Sequence, residues 1–237
     1  MNKEKLIKDT FIAIACLIVV AILLEVSAMI QFAGGSHVDT TTEGFDFVWN
    51  TLTDLGRDPA PNGEPNLTSR ILYRIAIFYM IFFGIVYNTI VWKYFTQKKS
   101  TKILSIIGSV LGITQSGLYI GVLYVESYPE HNYWIAAAAG TLIASVLVYL
   151  IAFFLNKELQ TIHKWVYLSI FCLAVIYATI IFIGFLLYNA EAYVDPKRNL
   201  YYGIQRIGHT LFNWTLKIAF IVNSVVFYRY LKPIERF

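Results

Sequence analysis

Arg206, His209, Asn213, Lys217 and Ser224 follow one another at intervals of three, four, four and seven residues inside the last apolar run of the chain. On a helix that spacing stacks them on one face. Ionisable groups in an apolar span are costly and turn toward a bundle interior or a water-filled cavity, so the stripe needs partners. Glu25, inside the first apolar run, is a candidate. At the helical rise, Arg206 lies about 5 Å, His209 about 9 Å and Glu25 about 8–10 Å below one membrane surface. A contact of Glu25 with His209 or Arg206 then requires only that the two helices be neighbours. The same layer receives Asp54 and Arg57 from a connecting loop and Arg70 and Arg74 from the start of the second span. Glu126, Glu130 and His131 reach it from the connection after the third.

Several kinds of chemistry suit this set. Arg57, Arg70, Arg74 and Arg206 at one depth, with Asn213 and Lys217 below, suit a lipid headgroup or other anionic ligand, because guanidinium forks match phosphate oxygens. His131 or His209, oriented by Asp54, Glu126 or Glu25, suits general-base or metal-ligand work in a membrane-embedded lipid hydrolase or transferase. A metal needs about three protein ligands, and the residue types suffice. Yet no His-x-x-x-His, His-Glu-x-x-His or Gly-x-Ser-x-Gly element is present. The stripe's descent through Asn213, Lys217 and Ser224 also fits a transporter or channel, but no repeat or broken helix accompanies it. His209 is the only histidine well inside a span, so a bis-histidine haem site is not evident. The plainest reading is an ion-pair network fastening loops to helix ends. Among functions, a non-catalytic binding pocket ranks first, a lipid-directed enzyme second and a transporter third. No cofactor is specified.

The elements that must position these residues follow from composition. Of 237 residues, 57% are hydrophobic and 14% charged, against about 25% charged in ordinary soluble domains. Six apolar blocks predict an all-α integral membrane bundle, one domain over residues 1–237, with helices at about 11–33, 71–95, 103–126, 133–155, 164–189 and 203–228. Each is close to the ~20 residues that cross ~30 Å of hydrocarbon, and the blocks lack the alternation of a β-barrel. The first block is too long for a signal-peptide core and reads as a retained helix. Cys16 and Cys172, inside apolar blocks, read as buried inert thiols. Tyr and Trp near block ends read as an interfacial belt. No basic stripe interleaved with exposed aromatics points to nucleic acid; membrane lipids are the expected partners.

Twelve of the 19 Lys and Arg fall in the N-terminal tail, the second and fourth connections and the C-terminal tail. The positive-inside rule then places both termini in the cytoplasm, in the plasma membrane of a prokaryote. In the first outer loop, Phe45, Val48, Trp49, Leu52 and Leu55 keep helical spacing and Gly56 ends it, predicting a short interfacial helix over the bundle mouth. Gly108/Gly112 and Gly117/Gly121, with Ala136, Gly140 and Ala144, predict close approach of the third and fourth helices. Such faces also suit a homo-oligomer.

Asn50-Thr51-Leu52-Thr53-Asp54-Leu55-Gly56 after a first span, a Pro-rich turn and a second span resembles the domain of unknown function 998 family of six-span bacterial and archaeal membrane proteins. That family is distantly similar to the damage-regulated autophagy modulator superfamily. Tyr128-Pro129-Glu130-His131 resembles the family's Pro-acid…His turn, and Gln205-Arg206 its element opening the last helix. The resemblance spans nearly the whole chain. It implies six helices and an outer polar cluster, without an assigned activity.

Overall fold

The computed structural model describes the backbone of residues 3–36, 39–95, 98–125, 130–156, 161–189 and 200–230; within these helices the side chains of 184–189, 200–207 and His209, with a few others, lie outside the description. Six long helices carry the chain: α1 Lys3–Ile30, α2 Leu67–Val91, α3 Lys99–Tyr124, α4 Glu130–Leu155, α5 Thr161–Asn189 and α6 Leu200–Tyr230. All six are long and apolar enough to cross a membrane. The protein is a multi-pass, all-helical membrane protein, with no strand among the described residues.

Each helix packs on its sequence neighbours, and α1 also packs on α6. The bundle is therefore a closed ring. One end carries Lys3 and Tyr230, the outer ends of α1 and α6, and the other carries the described part of the connection from α1 to α2. Outward faces are apolar, with Leu23, Phe82, Val110, Ile151, Ile176 and Val222 all exposed, as lipid requires of a surface it wets. Cys16 and Cys172 are exposed on that surface. They face out because inward positions are taken by neighbours such as Ile14 and Ile170, both fully buried.

The close approach of α3 and α4 is present, and no other pair of helices packs as extensively. Its details differ from the small-residue expectation. Gly108 seats the Tyr149 ring, which a Cβ would meet at 3.1 Å, and Gly121 seats Trp134. Gly112 instead makes room for the Asn88 amide of α2. Ala136 and Gly140 are exposed on the outer face of α4, so the contact joins small residues to large rings rather than small to small.

The predicted loop helix is one 3-10 turn, Leu52–Gly56. Residues 45–49 are drawn out of it by polar side chains. Asp46 Oδ1 accepts the amides of Val48 (2.7 Å) and Trp49 (3.3 Å), and Asn50 Nδ2 donates to the Gly35 carbonyl at 2.8 Å. Such local bonds compete with helix. The turn is also sunk into the bundle mouth: Leu52 and Leu55 are buried against Met29, Phe32, Tyr73, Ile77 and Leu123. Asn66 latches it there. Its amide donates to the carbonyls of Leu55 (3.3 Å) and Arg57 (2.8 Å), and its oxygen accepts the Ala33 amide at 3.2 Å.

Candidate functional site

A ring of six helices leaves an axial space unless large side chains fill it. Here Gly84, Gly112, Ala138, Ala139, Ser116 and Ser145 face the axis, and a cavity of about 110 Å³ remains. All six helices line it, and the 3-10 turn closes one end with Leu52 and Thr53. On α2 the lining runs from Tyr73 to Asn88, a rise of about 22 Å. The cavity is long and narrow. Most of its wall is apolar, from Ile77, Met80, Phe83, Ile135, Leu142 and Phe220 among others, but hydroxyls and amides enter along its whole length.

One full ion pair lies on the wall. Lys217 Nζ donates to Glu25 Oε1 at 2.5 Å and Oε2 at 2.6 Å, and Trp214 Nε1 donates to Oε2 at 3.1 Å. Glu25 is completely buried and Lys217 is 3% exposed. With water removed, each charge is tolerable only because the other is in contact. Glu25 is thus paired with Lys217, and the expected contact of Glu25 with His209 or Arg206 falls on side chains outside the described residues. The backbones of His209 and Arg206 precede Lys217 by about 12 and 16 Å along α6. The side chains of Arg206 and His209 and all of Glu126 lie outside the described residues.

Toward the termini, polar groups bridge the ring. The Tyr87 and Tyr167 hydroxyls share a hydrogen bond, and Asn223 Nδ2 donates to the Tyr87 hydroxyl at 2.6 Å. The Tyr149 hydroxyl bonds Ser109 Oγ at 2.7 Å and donates to Asn88 Oδ1 at 3.3 Å. Nearer the loop, Gln115, Tyr119, Tyr177 and Asn213 bring further amides and hydroxyls to the wall. The helix-six stripe therefore divides: Asn213 and Lys217 line the cavity, while Ser224 is fully buried outside its wall.

Beside the cavity, at the loop end, lies a small pocket of about 20 Å³ lined by Thr53, Gly56, Arg57, Tyr73, Arg74, Val122, Leu123 and His131. Thr53, Tyr73 and Val122 belong to both walls. The Arg74 guanidinium stands 5.4 Å over the Tyr124 ring, a cation–π arrangement. His131 donates from Nδ1 to the Val125 carbonyl at 2.7 Å, since a carbonyl only accepts. Asp54 caps its own turn, accepting the Thr51 amide at 2.7 Å, and pairs with Arg57 at 3.5 Å. Arg70 pairs with Asp58 at 3.7 Å and lines neither pocket. The structure thus gathers Arg57, Arg74 and His131 at one pocket and Glu25, Asn213 and Lys217 at the other. Among the described residues, no group of three or more His, Cys, Asp or Glu is placed to hold a metal.

Sequence reasoning missed the tyrosines of the axis. Tyr73 and Tyr87 are two heptads apart with Met80 midway, and Ser109 and Ser116 one heptad apart. A seven-residue repeat of hydroxyl-bearing side chains inside a span marks an inward face and was the available signal. The chain matches no family model, and no curated protein or solved structure is significantly similar to it, so the functional reading rests on the cavity itself.

Proposed function

We propose that this protein binds an amphiphilic lipid, with its anionic head at Arg57, Arg74 and His131 and a chain in the axial cavity. One observation carries the reading: a cationic pocket and a long, mainly apolar cavity meet at the shared residues Thr53, Tyr73 and Val122. A guanidinium pocket suits phosphate or carboxylate oxygens, and a narrow apolar cavity suits one hydrocarbon chain. The cavity has no net charge of its own, because Glu25 and Lys217 neutralise each other. The lysine distribution supports a cytoplasmic position for both termini, and the likeness to the domain of unknown function 998 family supports a prokaryotic plasma membrane. The second reading, a lipid hydrolase or transferase, keeps His131 on the head pocket as its base.

Native mass spectrometry of the detergent-purified protein tests the assignment. Wild type retains a co-purified lipid. Arg74→Ala retains it about tenfold less, the loss expected when a charge-assisted hydrogen bond of ~1.5–3 kcal/mol is removed. Equal retention by wild type, Arg57→Ala and Arg74→Ala refutes the head site. Turnover of the retained lipid, lost in His131→Ala, selects the enzyme.

A further inference from the structure

We infer that the axis of the ring is a proton path running beyond the cavity toward the end that carries the termini. Polar groups succeed one another along it: Glu25 and Lys217, then Asn88 and Tyr149, then Tyr87, Tyr167 and Asn223, and finally His163. Each is less than a tenth exposed. Buried polar groups in a span carry a desolvation cost, and where they line up they mark ion or proton routes.

The second observation concerns atoms without partners. Among the described residues, Asn223 Oδ1, Ser224 Oγ and His163 Nδ1 are buried and have no hydrogen-bond partner. Buried polar atoms in folded proteins are almost always satisfied, by ordered water where the protein offers nothing. All three lie past the terminal-side wall of the cavity, where a water chain must continue if it is to leave the bundle. His163 lies against the Phe227 ring, tilted, at 4.8 Å between centroids. Phe227 itself is one helical turn beyond Asn223, and His163 is one turn before Tyr167 on α5. The cavity has room for several waters at roughly 10–15 Å³ each, which connect Lys217 and Glu25 to Tyr87 and Tyr149.

The step is a relay. A cavity water carrying the excess proton as hydronium gives it to the Tyr87 hydroxyl as that hydroxyl passes its own to Tyr167, and Tyr167 releases its own to water at Asn223 Oδ1. His163 accepts it at Nδ1 and releases the proton on Nε2 to the terminal side, and tautomer exchange restores the ring. One proton crosses, only O–H and N–H bonds are made or broken, and the electrochemical gradient is the sole driving force. A bound lipid chain occupies the same space and displaces the water, so the wild type conducts through its lipid-free fraction.

Proteoliposomes of phosphatidylcholine and phosphatidylglycerol, loaded with a pH-sensitive dye and given a potassium diffusion potential, test the path. Wild-type vesicles acidify faster than empty ones, and Arg74→Ala, with its lipid loosely held, at least as fast as wild type. His163→Phe and Asn223→Leu, checked as folded by gel filtration, are slower by about tenfold. Wild-type and Arg74→Ala vesicles no faster than empty ones, or both relay variants as fast as wild type, overturn the inference. The lipid assignment stands or falls separately, on mass rather than flux.

Discussion

Lys217→Met destabilises the protein by ~3–5 kcal/mol, the cost of leaving one member of a buried ion pair alone. Among the described residues, Glu25 then keeps only the Trp214 indole as a hydrogen-bond donor, at 3.1 Å, in a fully buried position. It must either take up a proton or draw water into the ring. Glu25→Leu costs a similar amount, because Lys217 loses both of its carboxylate contacts at 2.5 and 2.6 Å. Glu25→Leu with Lys217→Met recovers most of the loss, since two apolar groups of similar shape replace a pair whose attraction was largely spent on desolvation. Thermal unfolding in detergent of the four proteins measures the coupling directly. Additive losses would show that the two residues do not act as a pair. The pair also joins α1 to α6, where the ring closes.

Ala139→Trp abolishes lipid retention while leaving the fold in place. Ala139 lines the axial cavity from α4 and is only half-buried, so an indole can enter the space without meeting a packed layer. Overpacking costs of ~1–3 kcal/mol are the upper range for such an insertion. Lipid retained by the detergent-purified variant, read by native mass spectrometry, falls to background, whereas the head pocket at Arg57 and Arg74 is untouched. Wild-type retention in a folded Ala139→Trp protein would show that the chain lies elsewhere, along the outer faces.

The six spans were legible because hydrocarbon imposes a length and a composition that few other contexts demand. Their boundaries moved by up to eight residues: α1, expected over 11–33, runs over Lys3–Ile30, and α6, expected over 203–228, over Leu200–Tyr230. The loop was less legible. Phe45, Val48, Trp49, Leu52 and Leu55 do fall at helical spacing, but Asp46 and Asn50 bond the backbone locally and shorten the helix to one turn. Glu25 and Lys217 were both marked as buried charges needing partners, yet not as partners of each other. Depths counted from apolar block ends do not say which α6 residue meets Glu25; the closure of α1 on α6 brings Lys217 to it. The tyrosines were misread for a different reason. Tyr serves equally at an interface and in a core once its hydroxyl finds a partner, and the partners of Tyr87 and Tyr149 come from other helices far along the chain.

Photolabelling with a lipid that carries a diazirine at the end of its chain tests the central assignment most directly. Peptide mapping is expected to place the label on axis-facing residues such as Asn88, Ser145, Tyr149 or Phe220, and to lose it in Ala139→Trp. Label confined to outward residues such as Phe82, Ile106 or Leu147 would contradict a chain held inside the ring.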